Sequence, residues 1–203
     1  MAAAEPITAK GQKARTRIVR AAAELVAEKG AVAVSLDDVC ARAGASRSQL
    51  YHYFDDKADL IRAVVAATTS AVLDAQNEYL DSLDSFAAIA AWFDLLVALQ
   101  EARDARGGCP IGSLVGQLAE RDEQARVALK TSFDDWQGHL ADGLGRMRDR
   151  GELKPDMDPV RTATATMASV QGGLLLSQVR RDPEQLRIAL DAAMTALREG
   201  AIS

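Results

Sequence analysis

The densest polar chemistry in this 203-residue chain lies in one run, Ser46-Arg47-Ser48-Gln49-Leu50-Tyr51-His52-Tyr53-Phe54. Ser46, with Gln49 three residues on, matches the S-x-x-Q capping box that satisfies free N–H groups at a helix start. Leu50 and Phe54 are four apart, share one helical face and can point inward. Arg47, Ser48, Gln49, Tyr51, His52 and Tyr53 are then left largely outward. Folding alone gives little reason to expose two tyrosines, a histidine, a glutamine and an arginine on one short helix. Donors and acceptors on a rigid element are what reading base edges in a major groove requires.

The element before this run has the shape needed to position it. Ser35-Leu36-Asp37-Asp38 offers a serine cap with an acid at the third helical position, and Leu36, Val39, Cys40 and Ala43 form one apolar stripe. Gly44 follows as a residue that can take positive φ. Two short capped helices joined by a glycine turn make a helix-turn-helix. An ordinary helical hairpin inside an all-α core has the same spacing, so the pattern by itself leaves both readings open.

Composition narrows the choice. Hydrophobic residues make up 48% of the chain and aromatics only 4%, which suits close-packed helices. The net charge of −5 would argue against nucleic acid, but it is unevenly spread. Residues 1–62 hold ten Lys and Arg against eight Asp and Glu, a net of +2; residues 63–203 hold fourteen against twenty-one, a net of −7. Lys10, Lys13, Arg15, Arg17 and Arg20 face only Glu5 at the start. A basic end on an acidic body fits a chain that meets phosphate at one end. Two cysteines, Cys40 and Cys109, have no metal-site spacing, so neither zinc nor any other metal or cofactor is expected. No leader peptide or membrane-length apolar run is visible, and the chain is expected to be cytoplasmic. His52 and His139 are the only histidines. No nucleophile elbow, phosphate loop or dinucleotide fingerprint occurs, so no enzyme is read; a helical enzyme with scattered residues is the remaining alternative.

Periodicity and punctuation predict about nine helices and no strand. Residues 1–10 read as a disordered basic arm. Helices follow over 11–29, 35–43 and 46–54, then a long one from Lys57, capped by Asp56, towards Tyr79. Lys57 opposes the macrodipole at that helix start, which makes sense if it holds a phosphate. Ser85 or Asp84 caps a fifth helix to about Ala105, and Pro110 opens a sixth, in which Gly112 and Gly116 flatten one side. The last three run over 122–150, 159–180 and 183–198.

Residues 16–65 resemble the DNA-binding domain of the TetR family of bacterial transcriptional regulators. The resemblance is carried by Ala22, Leu25 and Gly30, by Ser35 to Val39, by Ala43 to Arg47, and above all by Leu50-Tyr51-His52-Tyr53-Phe54 with Lys57 and Leu60. It implies an all-α chain, with a helix-turn-helix domain over 11–65 and a helical ligand-binding and dimerisation domain over 66–203. Ser35, Ser46, Arg47, Ser48, Gln49, Tyr51, His52, Tyr53 and Lys57 become candidate contacts to double-stranded, palindromic operator DNA. Tyr51 and Lys57 are expected on phosphates, and Arg47, Gln49 and His52 on bases. Asp37 and Asp38 depart from the family, which often has Arg or Thr there, and are expected to serve the helix dipole. The resemblance further implies a repressor released by a small ligand, which the scarcity of polar groups among the candidates makes apolar or aromatic. Candidate ligand residues are Trp92, Phe93, Cys109, Gly112, Gly116, Trp136, Met147, Met167 and Gln171. A homodimer is expected through Ala168, Gly172, Leu175, Leu176, Ala193 and Leu197. An activator, or a chromosome-organising protein of the same fold without a ligand, is the alternative.

Overall fold

The computed structural model of the chain describes residues 8–202, which form ten helices and no strand. In order these are α1 Ala9–Lys29, α2 Leu36–Ala43, α3 Arg47–Tyr53, α4 Lys57–Asp74, α5 Asn77–Leu80, α6 Phe86–Glu101, α7 Pro110–Leu118, α8 Glu123–Asp149, α9 Pro159–Arg180 and α10 Glu184–Glu199. A single antiparallel bridge joins Leu153 to Ala201. None of these helices is long and apolar enough to cross a membrane. The chain falls into two compact units, Met1–Ser70 with Leu114–Leu129, and Ala71–Ser113 with Lys130–Ser203. The sequence suggests one cut near residue 66; the fold differs because segment 114–129 joins the N-terminal helices.

In the first unit α1, α2 and α3 pack on one another. Ile18, Ala22, Leu25 and Val26 of α1, Val39 and Ala43 of α2, Leu50 and Phe54 around α3, and Leu60, Ile61, Val64 and Val65 of α4 are buried. These are the positions that the 3.6-residue period places inward. The Thr8 hydroxyl accepts from the Gly11 N–H and starts α1 at Ala9, so the helix begins inside the stretch expected to be disordered. The rest of that expected arm, residues 1–7, lies outside the described residues. Gly44 ends α2 at φ +60°, a left-handed conformation that a side chain disfavours, and thereby sets the turn into α3. The Ala31 N–H, after α1, donates to the Gln117 side chain at 2.6 Å.

The second unit is held by α10 against α9 and α6, with α5 against α6. Asp158 caps α9 through the N–H groups of Val160 and Arg161, and the Ser177 hydroxyl accepts from the Leu186 N–H in the first turn of α10. The helix expected to run on towards Tyr79 instead stops at Asp74, and the short α5 makes ten helices rather than nine. Gln76 explains the break. Its side chain donates to the Val72 carbonyl and accepts from Trp92 Nε1, both at 2.8 Å, and the Gln76 and Trp92 side chains are buried. The helix expected to reach Ala105 ends at Glu101, where Asp104 and Ala105 turn the chain at φ +50° and +51°. At Gly143 of α8 the backbone of Leu83 comes so close that a Cβ would stand 1.8 Å from its carbonyl oxygen.

Candidate nucleic-acid interface

Both helices of the motif start as their sequences dictate. At α2 the capping box is complete: the Ser35 hydroxyl accepts from the Asp38 N–H, and the Asp38 carboxylate accepts from the Ser35 N–H. Lys29 of α1 adds a 2.7 Å bond to the same carboxylate. Lys29 first, and then the Ser35 hydroxyl and N–H, hold Asp38 well below the usual carboxylate range. At α3 the Ser46 hydroxyl accepts from the Gln49 N–H at 3.1 Å. The cap forms, while the box expected from Ser46 and Gln49 is met by this bond alone.

Leu50 and Phe54 are buried under α3, and the Arg15 guanidinium lies 5.1 Å from the Phe54 ring centre. This cation–π contact from α1 anchors the inner side of α3. Arg47, Ser48, Tyr51 and His52 are exposed, as is the cap Ser46, while Gln49 and Tyr53 are half-buried. The His52 and Tyr53 rings meet edge-on at 4.8 Å. Ser35 is exposed and committed to its capping box. Lys57 donates to the Val32 carbonyl at 2.9 Å, which ties the start of α4 to the loop after α1.

Arg47 and Asp37 are not independent surface charges. Arg47 Nε donates to Asp37 Oδ1 at 2.7 Å and Nη2 donates to Oδ2 at 2.6 Å, across the turn between the helices. The Arg47 guanidinium keeps the Asp37 carboxyl below its ordinary range. Asp37 was expected to serve only the helix dipole, and it also engages the first residue of α3. Sequence spacing gives no sign of this pair, because ten residues and a turn separate its members.

The C-terminal candidates separate into two groups. Ala168, Leu175 and Leu176 of α9 are exposed and Gly172 is half-buried. Val179, 74% exposed, continues that stripe, and Ile188 of α10 is 57% exposed; neither was picked out from sequence. Ala193 and Leu197 must be corrected. They are only 6% and 3% exposed within one chain, because they form the inner seam of α10 with Leu186 and Leu190. Little of their area is left for a second chain, although both also line the groove between α9 and α10. A groove of about 340 Å³ lies between α9 and α10, lined by Arg161, Thr162, Ala165, Ser169, Ala192 and Ala196 among others.

Among the ligand candidates, Trp92, Phe93, Cys109, Trp136, Met147 and Met167 are buried. Cys109, Gly112, Met167 and Gln171 come together. The Gly112 N–H donates to Cys109 Sγ at 3.3 Å, Gln171 Nε2 lies 3.9 Å from Met167 Sδ, and a Cβ on Gly112 would meet Gln171 Oε1 at 3.0 Å. Gly112 therefore serves close packing. Burial pushes the Cys109 thiol up and keeps it protonated. Gly116, also a ligand candidate, is exposed, and open space lies where its Cβ would be. The two tryptophans differ. Trp92 Nε1 is satisfied by Gln76, whereas Trp136 Nε1, beside the stacked Phe133 ring, has no hydrogen-bond partner. Gln100 Oε1 of α6 is a second buried orphan, at a position that sequence reasoning missed. Among the described residues no group of three metal-ligating side chains occurs.

Comparison with known proteins places this geometry. The family described as "Bacterial regulatory proteins, tetR family" matches residues 18–64, and "Tetracyclin repressor-like, C-terminal domain" matches residues 85–193. An HTH-type transcriptional regulator of Mycobacterium tuberculosis is 31% identical over 182 residues, covering 84% of this chain and 87% of its own length. The transcriptional regulator AcuR of Cereibacter sphaeroides is 29% identical over 177 residues, covering 85% and 80%. The crystal structure of a regulatory protein TetR from Rhodobacter sphaeroides superposes with a TM-score of 0.75 at 26% identity, over 90% of this chain and 97% of that one.

Proposed function

This chain belongs to the TetR family of bacterial regulatory proteins and is a DNA-binding transcriptional regulator, and from that premise we propose that it is a repressor released from its operator by a small molecule. The observation that carries the DNA part is the exposed side of α3. Arg47, Ser48, Tyr51 and His52 stand in water while Leu50 and Phe54 lock the helix from beneath. Two such helices, one per subunit of a homodimer, fit successive major grooves about 34–36 Å apart. Arg47, Gln49 and His52 face bases in this reading, while Tyr51 and Lys57 hold phosphates, with Ser35, Ser46, Ser48 and Tyr53 at the margin of the contact. Lys57 uses one of its three donors on Val32 and has others to give. The dimer forms through Ala168, Gly172, Leu175 and Leu176, extended by Val179 and Ile188.

The control part rests on the two buried orphans. Buried polar groups are nearly always paired, so an unpaired indole N–H and an unpaired amide oxygen in one compact unit mark places where an incoming group is favoured. Trp136 Nε1 needs an acceptor and Gln100 Oε1 a donor. The Phe133 ring stacks beside Trp136, and the buried side chains of this unit, among them Phe93, Met147 and Met167, are largely apolar. The ligand is thus an apolar or aromatic molecule with a hydroxyl, amide or carboxylate. It acts by favouring one of two arrangements with unequal operator affinity.

The test joins stability to release. Compounds that raise the thermal midpoint are titrated into the protein bound to a fluorescent duplex from the DNA upstream of its own gene. Stabilising compounds should lower operator affinity, and Trp136→Phe should remove both responses together. Stabilisers that never change operator affinity would leave a constitutive DNA-binding role.

A further inference from the structure

Two exposed forked ion pairs cross between helices of the first unit, and their positions differ. Arg42 of α2 grips Glu28 of α1 through both terminal nitrogens at 2.9 Å each. Arg47 of α3 grips Asp37 of α2 through Nε and Nη2, and these side chains are 64% and 65% exposed. An ion pair so open to water contributes little to stability, so bracing the fold is a poor reason for it. Its place is more telling. Arg47 is the first residue of α3, directly after the Ser46 cap, and the first turn of a reading helix is where side chains reach base edges.

The guanidinium is planar and carries five N–H donors. Asp37 takes the edge formed by Nε and one N–H of Nη2. The outer edge, with the N–H groups of Nη1 and the second of Nη2, has no partner among the contacts Arg47 makes. Two parallel donors on such an edge match O6 and N7 of guanine. We propose that Asp37 is a positioning residue that clamps the Arg47 guanidinium so that its outer edge reads one guanine in each operator half-site. The proposal rests on α3 being the DNA-reading helix. Two consequences of the clamp favour selectivity. Side-chain freedom is lost before DNA arrives, not during binding. The carboxylate also repels phosphate, which keeps the arginine off the backbone, where it would bind every sequence alike. Asp37 stays ionised for this task because Arg47 keeps its carboxyl below the ordinary range.

The experiment is selection from a randomised duplex library by the purified full-length protein, followed by affinity measurement at each position of the enriched motif. Wild type, Arg47→Ala, Asp37→Ala, Asp37→Asn and Glu28→Ala are compared. Wild type should enrich half-sites with one fixed guanine. Arg47→Ala and both Asp37 variants should lose roughly tenfold or more of the preference at that same base pair and keep the rest of the motif. Glu28→Ala, which breaks the other forked pair, should leave the motif unchanged. An Asp37 variant that keeps the guanine preference overturns the proposal. So does one that changes affinity for all sequences equally, or one that loses preference at a pair to which Arg47→Ala is indifferent, as a carboxylate on a cytosine amino group would produce. If wild type enriches no motif, the reading of α3 itself falls and the proposal with it; a motif that lacks the coupled guanine removes the proposal alone.

Discussion

Replacing Leu175 by serine tests which apolar stripe of the last two helices faces a second subunit. Leu175 is 61% exposed in one chain. Full burial of a leucine side chain is worth about 1.5–3 kcal/mol, so covering the exposed part yields about 1–2 kcal/mol per chain. A two-fold interface uses the same residue twice, which gives about 2–4 kcal/mol per dimer. That is a rise of roughly thirty- to several hundred-fold in the dimer dissociation constant. Sedimentation equilibrium from nanomolar to micromolar protein reads this directly, and far-ultraviolet circular dichroism checks that the helices remain. Leu197→Ser is the contrasting variant. Leu197 is 3% exposed, so its loss should lower the thermal midpoint by opening a cavity, before any effect on association. If Leu175→Ser leaves the dissociation constant within threefold of wild type, the exposed stripe of α9 is not the interface.

Three further outcomes follow from single contacts. Gln100→Leu removes a buried amide oxygen that has no partner and should raise the thermal midpoint by about 2–4 °C, corresponding to about 1 kcal/mol; a fall would reveal a partner for that oxygen. Gly143→Ala forces a methyl against the Leu83 carbonyl and should cost about 3 kcal/mol or more in urea unfolding, and an unchanged midpoint would show that the two backbones are farther apart. Asp38 has a depressed pKa in the folded protein, so its stabilisation is present above its unfolded pKa of about 3.9 and is lost as pH falls through the lower folded value. Asp38→Asn should therefore be less stable than wild type at pH 7, with a gap that narrows below about pH 4; a gap independent of pH would exclude this carboxylate as its source.

Much of this architecture is legible in the sequence because local rules act alone there. Ser35 and Ser46 mark helix starts through their hydroxyls, Gly44 marks the turn, and the four-residue spacing of Leu50 and Phe54 fixes which side of α3 is inward. Pro159 and Asp182-Pro183 bracket α9 and α10 in the same way. What is not legible depends on distant partners. No glycine or proline announces the end of α4; Gln76 ends it by reaching Trp92, sixteen residues on. Ala193 and Leu197 belong to an apolar stripe, and so do Leu175 and Val179, because both stripes look alike before the fold shows which is already covered. Gln100 looks like an ordinary polar residue near a helix end until its burial is seen. The clamp of Arg47 by Asp37 needs the turn at Gly44 to bring two surface charges together.

The central claim is that the exposed side of α3 makes this chain a sequence-selective DNA-binding protein. Fluorescence anisotropy at physiological salt, with a duplex enriched by the wild-type protein and a shuffled duplex of the same composition, tests it most directly. The account predicts binding at least about a thousandfold tighter to the enriched duplex, with Tyr51→Phe weakening both and Gln49→Ala narrowing the ratio. Equal affinity for the two duplexes, or a ratio untouched by substitutions on α3, would contradict it.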